Sequence, residues 1–178
     1  MTKDHKDLEI NELPTVVKSK MIAHSGACTS LAFNVNGDQL ASAGSDKQVK
    51  IWGIKKKTIN ETMSLKNRSH SISCIGWSLD NQYLVSCSTD NKATLYCLKG
   101  QPTSNAFAAH NDLITSTKVS FSLKQAVTAS YDSYIKFWDL TKGQLAGKIN
   151  TLSKCYDMDL SRSETSIVSR HNDYGIKV

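Results

Sequence analysis

The chain has 178 residues, of which 39% are apolar and 21% charged, with two prolines; that composition excludes a disordered or low-complexity chain and allows one domain at most. The net charge of +6, from 22 Lys and Arg against 16 Asp and Glu, suits nucleic acid or acidic membrane in principle. Yet the cations are scattered, and the one run, Lys55-Lys56-Lys57, reads as a turn after a strand with no aromatic residues interleaved for base stacking, so no nucleic-acid partner is expected. No apolar run approaches the roughly 20 residues of a transmembrane segment, and the start, MTKDHKDLEINEL, lacks the apolar core of a signal peptide, so the expected compartment is the cytoplasm. The five cysteines include no CxxC pair and imply neither a disulfide framework nor a zinc site; Cys74, Cys87 and Cys97 fall in strand patterns, where a small apolar side chain suits.

In chain order, residues 1–13 read as a disordered tail or linker, and 14–178 as the folded domain, opening with an outer strand over 15–22. Runs rich in β-branched and small apolar residues, separated by Gly, Asn, Asp and Ser turns, then predict strands near Cys28–Asn34, Gln39–Gly44, Gln48–Gly53 and Thr58–Leu65. A second group follows near Ile72–Ser78, Gln82–Cys87, Lys92–Leu98 and Thr103–Ala109, and a third near Leu113–Ser120, Lys124–Ser130, Tyr134–Asp139 and Gln144–Asn150. A fourth group has three strands, near Ser153–Leu160, Thr165–Arg170 and Tyr174–Val178. No segment has a convincing helical period.

The groups are copies of one unit. His24 precedes Asp46 by 22 residues and Trp52 follows six later; His110, Asp132 and Trp138 repeat both offsets. Asp90 and Tyr96 hold the same positions in the second copy, and Asp173 holds the turn position in the fourth. A hydroxyl stands four residues before each Asp: Ser42, Ser86, Thr128 and Ser169. The second copy lacks a His in register, His70 being two residues off, and the fourth has Thr151 at that place. A His, a hydroxyl and an Asp invite a hydrolase reading, but the set recurs, Thr replaces Ser, and no Gly-x-Ser-x-Gly elbow surrounds any serine, so no catalytic residue, cofactor or metal is assigned. The alternative reading is a buried chain from Asp to His to hydroxyl to indole that satisfies every polar group in the unit.

A 40–45-residue period with His, Asp and Trp at these offsets resembles the WD-repeat family, and the resemblance covers about residues 14–178. It implies an all-β propeller with four strands to a blade. About three and a half to four blades are present, half of a seven-bladed ring, a closed four-blade ring being the alternative. In the family the His, hydroxyl, Asp and aromatic form a structural tetrad, and binding residues gather on the face built by the turns. Projected here, that face holds Ser25, Ala27, Ser45, Ser71, Thr89, Asn111, Asp112, Tyr131, Lys154 and Asn172, with Tyr131 the foremost candidate because an exposed aromatic in a turn suits a hot spot. The order of spacings, the entry LPTVVKSKMIAHSGA, the third strand NKATLY and the fourth copy with SRHND look like the C-terminal propeller of the autophagy-related protein 16 family. That resemblance implies a non-catalytic scaffold that binds proteins or short peptide motifs in autophagosome assembly. It further implies association with the conjugate of autophagy proteins 5 and 12, peripheral recruitment to autophagic membranes, and the phagophore assembly site as a location. The family's segment for protein 5 and its coiled coil do not occur in these residues. A WD-repeat subunit of a chromatin or RNA-processing complex would share every fold signal.

Overall fold

The computed structural model describes residues 21–178 apart from 56–57, 67–69, 101, 121–123, 162 and 164. Fifteen strands and no helix occur among the described residues. They form four antiparallel sheets in sequence order. The first is β1 (Cys28–Phe33), β2 (Gln39–Gly44), β3 (Gln48–Lys55) and β4 (Thr58–Lys66). The second is β5 (Ile72–Trp77), β6 (Tyr83–Ser88), β7 (Lys92–Cys97) and β8 (Thr103–Ala108). The third is β9 (Ile114–Ser120), β10 (Gln125–Ser130), β11 (Tyr134–Asp139) and β12 (Gln144–Asn150). The fourth has β13 (Cys155–Leu160), β14 (Ile167–His171) and β15 (Ile176–Lys177). The expected tail 1–13 and most of the expected strand 15–22 lie outside the described residues; Met21 and Ile22 are not in a strand. Lys55 is not a turn residue. It pairs with Thr58 at the end of the β3–β4 ladder, and the rest of the expected turn, 56–57, lies outside the described residues.

The sequence folds this way because its apolar residues occupy strand positions and its turns can take the backbone that tight hairpins demand. Lys47, Asn91, Ser133 and Tyr174, each one residue past a turn Asp, all have φ between 60° and 67°, the left-handed region that closes a short hairpin. At the opposite end, Gly37, Asn81 and Lys124 do the same for the β1–β2, β5–β6 and β9–β10 turns.

The core lies between sheets. Ala41, Ala43, Val49 and Ile51 of the first sheet meet Ile72, Ile75, Trp77, Leu84 and Tyr96 of the second in one buried cluster. A second cluster joins Val85, Cys87, Ala93 and Leu95 to Ile114, Val119, Ala126 and Trp138. Each fully buried aliphatic side chain, such as Ile72 or Leu84, contributes about 1.5–3 kcal/mol from burial alone. The inner strands β1, β5, β9 and β13 follow one another along an arc, each against the next. Where β5 passes β9 the approach is close: a methyl group on Gly76 would lie 2.9 Å from the Thr117 carbonyl oxygen.

Among the described residues the arc is open at both ends. Leu31 and Phe33 on β1 are 62% and 63% exposed, whereas β5 and β9, which have a sheet before them, are mostly buried. At the far end Val168 and Ile176 of the fourth sheet are exposed. Among the described residues, the first and fourth sheets are thus not covered by one another as in a closed four-blade ring.

Candidate functional site

The β2–β3 turn and its equivalents bring the recurring polar residues to one end of the sheets. In the first sheet the Asp46 carboxylate lies 2.9 Å from His24 Nδ1 and accepts the backbone N–H groups of Ser25 and Gln48. His24 Nε2 lies 2.8 Å from Ser42 Oγ, which accepts the Trp52 indole N–H at 2.8 Å. The third sheet repeats this geometry. Asp132 meets His110 Nδ1 at 2.9 Å, His110 Nε2 lies 2.8 Å from Thr128 Oγ1, and Trp138 Nε1 donates to that oxygen at 2.9 Å. Burial pushes the His110 pKa down against the pull of Asp132, so the ring is neutral near pH 7. With Nδ1–H given to Asp132, its Nε2 accepts a hydrogen bond from the Thr128 hydroxyl, and each polar side-chain group of this network has a partner. Burial raises the Asp132 carboxyl, but the Asn111 N–H and His110 outweigh it and leave the group below its ordinary value; Asp46 is lowered in the same manner, His24 and backbone donors outweighing burial. The Asp132 and Asp46 carboxylates and their histidine rings are largely enclosed, which leaves little room for a substrate at either triad.

The other two sheets differ. In the second, Tyr96 Oη lies 3.5 Å from the buried Ser86 Oγ, a long contact, and burial pushes the phenol pKa up. His70 reaches Asp90 at 3.3 Å although it is two residues out of register, and its side chain is 56% exposed; the Ser88 hydroxyl also donates to Asp90. In the fourth sheet, a histidine that the register rule passes over takes the role. His171 Nε2 lies 2.8 Å from Ser169 Oγ, and its Nδ1 lies 3.2 Å from the Ser153 carbonyl. Asp173 is held instead by Lys177 Nζ and Ser153 Oγ, both at 3.0 Å, and the lysine draws its pKa down to about 2. Thr151, at the expected histidine position, donates to the carbonyls of Ser133 and Ser153. The signal available in the sequence was a His two residues after the Ser169 hydroxyl, in SRHND.

The candidate binding residues share one rim. The backbone N–H groups of Ser45, Thr89, Tyr131 and Asn172 donate to the carbonyls of Ala27, Ser71, Leu113 and Lys154, at 2.9–3.1 Å. Each spans 18 residues, so the four loops close alike and end side by side. Ser71 Oγ donates to the Ser45 carbonyl and links the first two loops. Asn111 N–H donates to Asp132, and Asp112 Oδ1 accepts from Leu113 N–H while its carbonyl accepts from Ser130 Oγ. Thr89, Asn111, Lys154 and Asn172 are exposed. Tyr131 is half-buried, packed edge-on against Tyr156 with centroids 5.3 Å apart at 88°. Lys154 Nζ stands 5.5 Å from the Tyr131 centroid, and the Arg170 guanidinium stands 5.2 Å from that of Tyr156. Tyr156 and Arg170 were not among the sequence candidates, because both lie within strands whose pattern marks only alternation. Two rings flanked by two cations make this the most chemically distinct patch on the rim. No helix among the described residues is long and apolar enough to cross a membrane.

Comparison with known proteins agrees with this architecture. Residues 15–53, 60–97 and 100–139 match the WD40 family, described as "WD domain, G-beta repeat". The chain is 27% identical over 167 residues to Autophagy-related protein 16 of Arabidopsis thaliana, covering 93% of this chain and 32% of that protein. It is 31% identical over 166 residues to Protein tipD of Dictyostelium discoideum, covering 93% of this chain and 27% of that one. It thus spans about a third or less of these relatives. The fold superimposes on the crystal structure of RRP9 WD40 repeats with a TM-score of 0.76 at 18% identity, over 87% of this chain and 48% of that chain. With three repeats matched in sequence, and three four-stranded antiparallel sheets and a three-stranded one in space, the chain belongs to the WD40 repeat family.

Proposed function

We propose that this chain is a protein- and peptide-binding scaffold of the autophagy-related protein 16 type, acting in autophagosome assembly, and that its rim binds partners around Tyr131. The observation that carries the binding role is the Tyr131–Tyr156 pair flanked by Lys154 and Arg170. Rigid aromatic rings supply contact area at little entropic cost, and the adjacent cations select a carboxylate-bearing segment. The autophagy assignment is supported by identity to an autophagy-related protein across 93% of the chain. Its partners would include the conjugate of autophagy proteins 5 and 12, reached through the larger scaffold, at cytoplasmic sites of phagophore assembly.

The test uses labelled 12-residue peptides, acidic, neutral and basic, each with one aromatic residue, read by fluorescence anisotropy. The acidic set should bind, and Tyr131→Ala and Lys154→Glu should each weaken binding tenfold or more, as about 1.4 kcal/mol per decade implies for a hot-spot contact. Far-UV circular dichroism should stay unchanged. Binding by both variants as tight as by the unsubstituted chain would refute the rim assignment. For the autophagy role, the chain installed as the propeller of a protein 16 scaffold should restore lipid conjugation in cells deficient in that scaffold; failure with intact expression would refute it.

A further inference from the structure

The position four residues past the turn aspartate carries a lysine in three of the four sheets, and in two of them the charge has a carboxylate of its own. Lys50 pairs with Glu61 and Lys177 with Asp173, each at 3.0 Å, while the second sheet has the uncharged Thr94. In the third sheet, the one carboxylate that Lys136 meets among the described residues is that of Asp132, at 4.0 Å. That carboxylate already holds His110 Nδ1 and the N–H groups of Asn111 and Tyr134. The Lys136 ammonium group instead donates to the Ala109 carbonyl at 2.8 Å. Directly across the β11–β12 ladder from Lys136 stands a second cation, Lys148, where Lys50 and Thr94 face Ser64 and Ala106. Like charges opposite one another destabilise a sheet, so the third sheet carries a cost that the first and second avoid. Lys148 is exposed, and among the described residues its Nζ meets no carboxylate. It stands 5.2 Å from the Tyr134 centroid, and Lys136 Nζ stands 6.0 Å from the same ring.

The chain itself joins this lysine–tyrosine cluster to the one on the rim. Tyr131 and Tyr134 belong to one turn, with Asp132 and Ser133 between them. After Lys148 the chain is pinned to that turn, because Thr151 gives both its N–H and its hydroxyl to the Ser133 carbonyl. Lys154, beside the Tyr131 ring, follows three residues later. Lys148 and Lys154 are thus six residues apart on a segment held to the same turn, and their Cα atoms can be no more than about 20 Å apart. An extended peptide rises about 3.3 Å per residue, so one segment of six residues or fewer can reach both. A carboxylate set on Lys148 is attracted by two ammonium groups at once and relieves their mutual repulsion, which no neutral side chain can do.

We infer that Tyr134, Lys136 and Lys148 form a second subsite of the rim, which takes the carboxylate of a second acidic residue in a peptide whose first acidic residue meets Lys154. The inference rests on the rim reading above. The probes are fluorescein-labelled 12-residue peptides of Gly and Ser with one Phe-Glu pair, alone or with a second Glu placed one to eight residues further on, read by anisotropy at about 0.15 M salt. The second Glu should tighten binding about threefold or more, with the largest gain at a spacing of three to six residues. In Lys148→Glu that gain should vanish while the one-Glu peptide binds within about twofold of its former affinity. Lys142→Glu, an exposed charge reversal at the opposite end of the same hairpin, should keep the gain. Lys148→Glu should unfold in urea at the same or a higher midpoint, because it sets a carboxylate opposite Lys136. A gain that survives in Lys148→Glu, an equal gain at every spacing, an equal loss in Lys142→Glu, or a lowered midpoint for Lys148→Glu would overturn the second subsite and leave the rim reading standing. No binding by any peptide, or one-Glu binding that Lys154→Glu leaves intact, would overturn both.

Discussion

Replacing Thr128 by Val removes one oxygen from the centre of the third-sheet network and changes little else. The side chain is fully buried, so the isosteric methyl introduces no clash. Two groups lose their partner together: the Trp138 indole N–H at 2.9 Å and His110 Nε2 at 2.8 Å. Neither has water to replace it, since Trp138 and His110 are 6% and 7% exposed. Leaving a buried polar group unsatisfied costs about 1–3 kcal/mol, so the pair loses roughly 2–5 kcal/mol, less a fraction of a kcal/mol for the added apolar burial. Ser86→Ala is the internal comparison. Its contact with Tyr96 is already 3.5 Å, and its loss should cost under about 1 kcal/mol beyond the small cavity. Both variants would be unfolded in urea with tryptophan fluorescence and circular dichroism as independent probes. Equal losses in the two variants, or less than about 1 kcal/mol for Thr128→Val, would refute the view that the histidine-hydroxyl-indole chain fixes the sheet.

Gly44→Ala should break the first network, because its methyl would sit 2.7 Å from both Asp46 Oδ1 and His24 Nδ1; a loss of about 1–3 kcal/mol in the same unfolding assay is expected. Gly76→Ala should cost a similar amount by prising β5 from the Thr117 backbone. Lys47→Gly should be neutral or stabilising by up to about 1 kcal/mol, since Lys47 has φ of 67° and its side chain is exposed. Stability should fall as the pH drops below the ordinary histidine value of 6.5, because His110 has a lowered pKa in the folded protein and takes up its proton later there than in the unfolded chain. A second loss follows below the ordinary aspartate value of 3.8, where Asp46, Asp132 and Asp173, all lowered by folding, resist protonation that the unfolded chain accepts. His110→Gln should flatten the first step and leave the part of the second that Asp46 and Asp173 carry, as read by urea midpoints from pH 7 to 3.

Most of the fold is legible in the sequence because the strand alternation and the turn chemistry agree in each copy. Tyr134–Asp139 and Gln144–Asn150 can be read to the residue, since Asp-turn, β-branched run and aromatic all point to the same boundaries. The offsets of 22, six and four residues single out the four side chains that lie within hydrogen-bond distance in the first and third sheets. The same rule stops at the fourth sheet, where His171 reaches its hydroxyl from two residues away along one strand and Lys177 takes over the aspartate. It also misplaces His70, because a ring on a loop is not tied to strand register. Tyr156 and Arg170 could not be read as partners of Tyr131, since their meeting depends on how the third and fourth sheets pack.

The central claim, that the chain binds partners through the rim, is tested most directly by backbone amide chemical shifts followed during titration with the acidic aromatic peptide that binds best. The account predicts that the largest changes fall at Tyr131, Lys154, Tyr156 and Asn172, with the far turns at Gly37, Asn81 and Lys124 unmoved. Changes centred on those far turns, or none at saturating peptide, would contradict it.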